Sequence, residues 1–154
     1  MPVRKAVVLF GLALLMTVEP VRAQEGLGVG VLVGEPSGFS LKTWFSPKTA
    51  FDLAVAWSFE DEGALNVHGD YLIHHFGVFS VRKGALPFYY GLGGRVRNHP
   101  QGDPNVGIRI PVGVEYLFAK EPFDLFLEVV PIVDLTPESD LDVNASVGAR
   151  YFFR

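Results

Sequence analysis

Four histidines, 17 carboxylates and no cysteine set the range of chemistry open to this 154-residue chain. Without a thiol there is no cysteine nucleophile, no disulfide and no Cys-ligated zinc. His68, Asp70 and His74 recur at even spacing, as metal or acid–base residues on one face of a strand would. Same-face neighbours stand about 7 Å apart, which puts His68 and His74 about 20 Å from one another. One ion cannot take all three, and polar packing is the better explanation. His75 falls on the opposite, apolar face. His99 lies in the stretch Asn98–Asn105 with no identifiable partner, and no serine sits two residues from a histidine on one strand. A nucleophile–base pair is therefore missing. Gly91-Leu92-Gly93-Gly94 has the glycine density of a phosphate loop, but no helix follows it. The acids Glu60, Asp61, Glu62, Asp103, Glu138 and Asp140 fall in short turns, where solvated carboxylates are commoner than a weak Ca²⁺ site. No catalytic, cofactor or metal residue is assigned, and the chain is expected not to be an enzyme. A net charge of −4 offers no basic face to nucleic acid.

The elements that carry these residues begin after a leader. Arg4 and Lys5 precede an unbroken apolar run from Ala6 to Met16, and a more polar stretch ends in Val21-Arg22-Ala23. That order describes a secretory signal peptide over residues 1–23, cleaved after Ala23. Eleven apolar residues are too few to cross a bilayer core, which needs about 20. Residues 24–154 then form one domain.

Beyond Gln24 the hydrophobic period is two, broken by Pro, Gly, Asp, Asn and Ser clusters. Eight strands are expected, at Leu27–Val33, Phe39–Phe45, Ala50–Ser58, Ala64–Phe76, Leu86–Arg97, Val106–Phe118, Phe123–Leu135 and Leu141–Phe153. The breaks leave no room for crossover helices, so the strands form an antiparallel up-and-down meander able to close into a barrel. Pro111 and Pro131 fall within strands, where bulges are expected.

Twelve charged residues lie within these strands: Lys42, Asp52, Asp70, Arg95, Arg97, Arg109, Glu115, Asp124, Glu128, Asp134, Asp142 and Arg150. Each falls on the more polar face of its strand, which otherwise carries small residues such as Gly28, Gly30, Ala54, Gly91, Gly93 and Gly107. The opposite face carries no charge, as lipid would enforce. Small residues with arginines and carboxylates suit a narrow lumen in which charges must pair. Nine apolar-face aromatics gather at the rim where the C-terminus ends: Phe45, Phe51, Phe88, Tyr90, Tyr116, Phe118, Phe123, Tyr151 and Phe153. An interfacial girdle has this arrangement. Polar face inward is thus expected, with Arg95, Arg109 and Arg150 set against Glu115, Glu128 and Asp142. An eight-stranded barrel is just wide enough for side chains, so no open pore is expected.

The stretches Phe88-Tyr-Tyr-Gly-Leu-Gly-Gly-Arg95, Gly107-Ile-Arg-Ile-Pro-Val-Gly-Val-Glu-Tyr-Leu-Phe118 and Phe126-Leu-Glu-Val-Val-Pro-Ile-Val-Asp-Leu-Thr-Pro137 carry a resemblance. The mature chain resembles small OmpA/OmpX-type outer-membrane barrels. More narrowly it is similar to a domain-of-unknown-function family first grouped around spirochaete outer-membrane proteins. The likeness spans most of the chain from Gly28 to Phe153, and it implies an eight-stranded transmembrane β-barrel in the outer membrane with no established activity. The last strand also resembles the signal read by the barrel-assembly machinery, with Ser146, Gly148, Tyr151 and Phe153 at its four defined positions. Arg154 departs from the usual terminal aromatic. The implied partners are outer-membrane lipid and that machinery.

The leading expectation is an integral outer-membrane barrel with a structural or surface-interaction role. The alternatives are a soluble lipocalin-like barrel with an apolar ligand and an envelope lipid-modifying enzyme.

Overall fold

The computed structural model describes residues 26–59, 63–100 and 102–153. The expected leader, the acids Glu60, Asp61 and Glu62, and Arg154 lie outside the described residues. Among the described residues the chain is all-β, with nine strands: β1 (Leu27–Glu35), β2 (Ser37–Trp44), β3 (Thr49–Ser58), β4 (Ala64–His75), β5 (Phe88–Asn98), β6 (Asn105–Arg109), β7 (Val112–Leu117), β8 (Phe123–Thr136) and β9 (Asp140–Phe153). All pairings are antiparallel. They run from β1 through β2, β3 and β4 to β5, across β6 and β7 to β8, and through β9 back to β1. Every strand has a partner on both sides, so the sheet closes and no edge is left to recruit another chain.

Nine strands replace the expected eight because the sixth is interrupted at Ile110 and Pro111. β6 and β7 occupy one position between β5 and β8, and the register is the same on either side of the break. Gly93↔Arg109 continues as Tyr90↔Val112, and Arg109↔Ile132 as Val112↔Val129. Gly91 N donates to Pro111 O and Ile110 N to Pro131 O, each at 3.0 Å. Neither proline has an N–H to return the bond. Each rung therefore loses one hydrogen bond without gaining a residue, and the bulges expected at Pro111 and Pro131 are absent. The register shifts instead between Val106 and Gly107, which face Thr136 and Asp134 respectively.

Both described ends of the chain lie at one rim, where Leu27 pairs with Phe153. Connections 45–48, 76–87 and 118–122 share this terminus rim; those that leave β1 at Pro36, β3 at Phe59, β5 at His99 and β8 at Pro137 belong to the far rim. The β2–β3 turn is held by Ser46 Oγ, which accepts from Lys48 N at 3.2 Å and Thr49 N at 3.0 Å.

Alternation along each strand sends one set of side chains inward and the other outward. The largest wholly buried side chains include Arg95, Arg109, Lys42 and Glu115, whereas Leu125, Leu127, Val129 and Val147 are exposed. Apolar packing inside is local. Leu32, Ala54, Ala56 and Phe126 form one cluster, and Leu117 and Phe152 form another with Trp44, Phe76 and Ala85 at the terminus end. Glycine opens space for the inward charges. A Cβ at Gly93 would strike the Asp70 carboxylate, and one at Gly30 would strike the backbone of Ala149 and Arg150.

Candidate functional site

The charged residues of the strands form a ladder along the barrel axis. Nearest the terminus rim, Lys42 Nζ donates to Glu115 Oε2 at 2.7 Å, and His74 Nε2 lies 3.0 Å from the same oxygen. Lys42 also sits 4.4 Å from the Trp44 ring centroid. Arg150 donates to Asp124 at 2.9 Å and approaches Glu115 at 3.6 Å and Asp52 at 4.0 Å. Its guanidinium lies 4.1 Å from the Phe126 ring centroid.

Halfway along, Arg109 donates Nε and Nη2 to the two Asp70 oxygens at 3.0 and 3.2 Å, and lies 3.6 Å from Glu128. Tyr89 donates its hydroxyl to Glu128 at 3.1 Å. Towards the far rim, Arg95 grips Asp134 through Nε at 3.2 Å and Nη2 at 2.7 Å, and reaches Asp142 at 3.2 Å. Arg97 bonds Asp142 at 3.3 Å and approaches Asp134 at 3.9 Å. The twelve charges named from the sequence thus fall into three ion-paired groups: Lys42, Asp52, Glu115, Asp124 and Arg150; Asp70, Arg109 and Glu128; and Arg95, Arg97, Asp134 and Asp142. Arg95, Arg109 and Arg150 do meet Asp142, Glu128 and Glu115. Their closest partners are nevertheless Asp134, Asp70 and Asp124, which lie one or two strand positions away around the barrel.

His68, Asp70 and His74 are not brought together. His68 Nδ1 lies 3.3 Å from Asn66 Oδ1, Asp70 belongs to Arg109, and His74 belongs to Lys42 and Glu115. A different acidic group is assembled instead: oxygens of Asp52, Asp70 and Glu128 lie within 4.8 Å of one another. Its geometry has the carboxylates of a cation site, but the Arg109 guanidinium already supplies the positive charge. The members come from three strands, so no spacing in the sequence announces them.

The far end of the interior opens into a polar cavity of about 310 Å³, lined by Glu35, Ser58, Arg97, His99, Asp140, Asp142 and Asn144. Ser58 Oγ donates to Glu35 Oε1, and Phe59 N donates to Glu35 Oε2 at 3.2 Å. His99 Nε2 lies 3.1 Å from Asn105 Oδ1, and Asn105 Nδ2 donates to Asp134 at 3.2 Å. Glu35 and Ser58 reach the cavity from the ends of β1 and β3, on opposite sides of β2, a meeting that the sequence pattern does not reveal.

The nine aromatics named from the sequence point outward near the terminus rim. Tyr116, Phe118, Phe123, Tyr151 and Phe153 form a continuous row with ring centroids 4.8–6.5 Å apart. Phe88 and Tyr90 flank His75 at 5.0 and 5.2 Å, Phe45 stacks near Tyr71, and Phe51 is exposed on β3. The far rim is not without aromatics, since Phe39, Trp57 and Phe59 are exposed there. In β9, Ser146 and Gly148 face inward, while Tyr151 and Phe153 face outward beside Phe123 and Leu27.

The closed antiparallel sheet has a counterpart among solved structures, the N-terminal β-barrel domain of Pseudomonas aeruginosa OprF. The match has a TM-score of 0.61 at 14% identity and covers 84% of this chain and 98% of that domain. The fold is that of an OmpA-like β-barrel. At this identity the likeness is one of fold. No protein-family model and no curated protein sequence matches the chain, so the narrower spirochaete resemblance has no counterpart in these comparisons.

Proposed function

We propose that this protein is an integral outer-membrane β-barrel, exported by its N-terminal signal, with an interior filled by ion pairs rather than open as a pore. Its role is structural or one of surface interaction, without catalysis. The observation that carries this reading is the sorting of side chains. Every outward residue of β8 from Phe123 to Leu135 is apolar, while Asp124, Glu128 and Asp134 on the same strand are buried. Water would reverse that order, and hydrocarbon rewards it. The OmpA-like fold supports the same reading. A soluble binder of apolar ligands needs the opposite disposition, with the charges outside. Lipid and, during biogenesis, the barrel-assembly machinery are the partners, with Ser146, Gly148, Tyr151 and Phe153 as the recognition element of β9.

The test is to express the full chain in a host with an outer membrane, fractionate the envelope, and compare unheated with boiled samples on a denaturing gel. Mature-length protein in the outer-membrane fraction, with a mobility changed by boiling, is the expected result. Protein soluble in the periplasm without detergent would overturn it.

A second reading, a lipid-modifying enzyme, draws on Ser58, His99 and Glu35 lining one cavity. The serine hydroxyl is directed to a carboxylate there, not to an imidazole. Lipid hydrolysis by the purified protein that is abolished in both Ser58→Ala and His99→Ala would establish this reading over the first.

A further inference from the structure

The connection of residues 76–87 is the longest at the terminus rim, where its neighbours span 45–48 and 118–122. It joins His75 to Phe88, which are already paired across the β4–β5 ladder. Hairpin connections usually run to about 2–5 residues, so one of this length between adjacent strands is uncommon. Phe76 and Ala85 pack inward on the terminus-end cluster, but the middle of the segment does not. Val78, Phe79 and Val81 are exposed, and Arg82 and Lys83 follow them directly in the exposed stretch. The return is fixed. Tyr116 donates its hydroxyl to Lys83 O at 2.8 Å, and Ala85 pairs with Leu117 through bonds of 3.0 and 2.8 Å. Tyr116 belongs to the outward aromatic row, so the basic pair is tied to the outer wall at the level of the girdle.

Charge is unequal between the rims. The terminus-rim turns hold Lys48, Arg82, Lys83 and Lys120 against a single acid, Glu121. Among the described residues the far-rim turns carry no lysine or arginine, and Asp103, Glu138 and Asp140 are exposed there. Exposed apolar side chains beside basic ones are the composition of an interfacial segment on an anionic surface.

We propose that residues 77–84 dock on the anionic phospholipid headgroups of the leaflet at the terminus rim, with Val78, Phe79 and Val81 entering the interface and Arg82 and Lys83 engaging phosphates. This rests on the membrane-barrel reading. The chain has no native cysteine, so Val78→Cys gives a single labelling site for an environment-sensitive dye. The labelled full chain is refolded into phosphatidylcholine vesicles with and without phosphatidylglycerol.

The expected result is a blue-shifted dye, quenched by headgroup-labelled lipid, in the phosphatidylglycerol vesicles. Arg82→Gln or Lys83→Gln should each raise the phosphatidylglycerol needed for half the shift several-fold, and both together should abolish it. A dye at Ser139→Cys on the far rim should not respond to phosphatidylglycerol. Heat-modifiable mobility of the same sample reports insertion separately. An inserted barrel whose Val78→Cys dye stays in water, or responds equally in the double variant, overturns the docking alone. A chain that never inserts overturns both the docking and the barrel reading.

Discussion

The two ends of the interior use the same residue types in different surroundings. At the terminus end, Lys42, Glu115, Asp124 and Arg150 are all but wholly buried, above an apolar floor of Leu117, Phe152, Trp44 and Phe76. At the far end, Arg97 and Asp142 keep 16% and 35% of their side-chain surface beside an open polar cavity. A pair sealed from water has no solvent to replace a lost partner, whereas a pair at a wet mouth does. The lesson concerns position: an arginine–carboxylate contact is worth what its surroundings make of it, and one barrel holds both extremes.

Removing Arg150 should therefore have the largest effect. Arg150→Ala leaves Asp124 buried without its cation, and we expect a loss of about 3–5 kcal/mol in denaturant unfolding of the lipid-refolded protein. Replacing Arg109 and Arg150 together by Met should lower the temperature at which the folded band disappears on a gel. An unchanged temperature would dismiss the ladder as a source of rigidity.

The outer wall supplies the next contrast. Leu127→Arg, midway along β8, should cost about 2–4 kcal/mol in the same assay, and Leu141→Arg at the far rim only about 0–1. Equal costs at the two depths would argue against hydrocarbon around the wall. Arg97→Ala should show the smallest effect, at most about 1 kcal/mol and diminished by added salt. A loss matching that of Arg150→Ala would erase the distinction between the ends.

Much of this architecture is legible in the residues. Period-two alternation finds the strand positions and assigns their faces, because one misplaced residue would put a charge on the apolar side. It does not find the break that divides the sixth into β6 and β7. The terminus-rim aromatics follow from the same count. What alternation cannot supply is the stagger between strands, and the stagger chooses partners. Arg95 meets Asp134 across the β6 position, and Asp52, Asp70 and Glu128 converge from β3, β4 and β8. The prolines mislead in a simple way. Pro111 and Pro131 announce that bonds are missing, and a bulge is one way to lose them, but an in-register rung lacking one N–H is another. The bulge at Val106 and Gly107 has no such marker. The apolar floor escapes notice because Trp44 and Phe76 lie where strands give way to turns.

The seam between β1 and β9 joins nine residue pairs, from Leu27↔Phe153 to Glu35↔Ala145. These partners are the most distant in sequence of any in the sheet, and β9 bonds to β8 on its other side. Closure therefore waits until β9 has been made. Until then a nascent sheet presents two open edges, each able to capture a neighbouring chain. The long span also makes the closing contact slow to form unaided. Chains shortened by one strand should accumulate as aggregates rather than as smaller barrels, since the strand that completes the cylinder is also the one that ends its exposure.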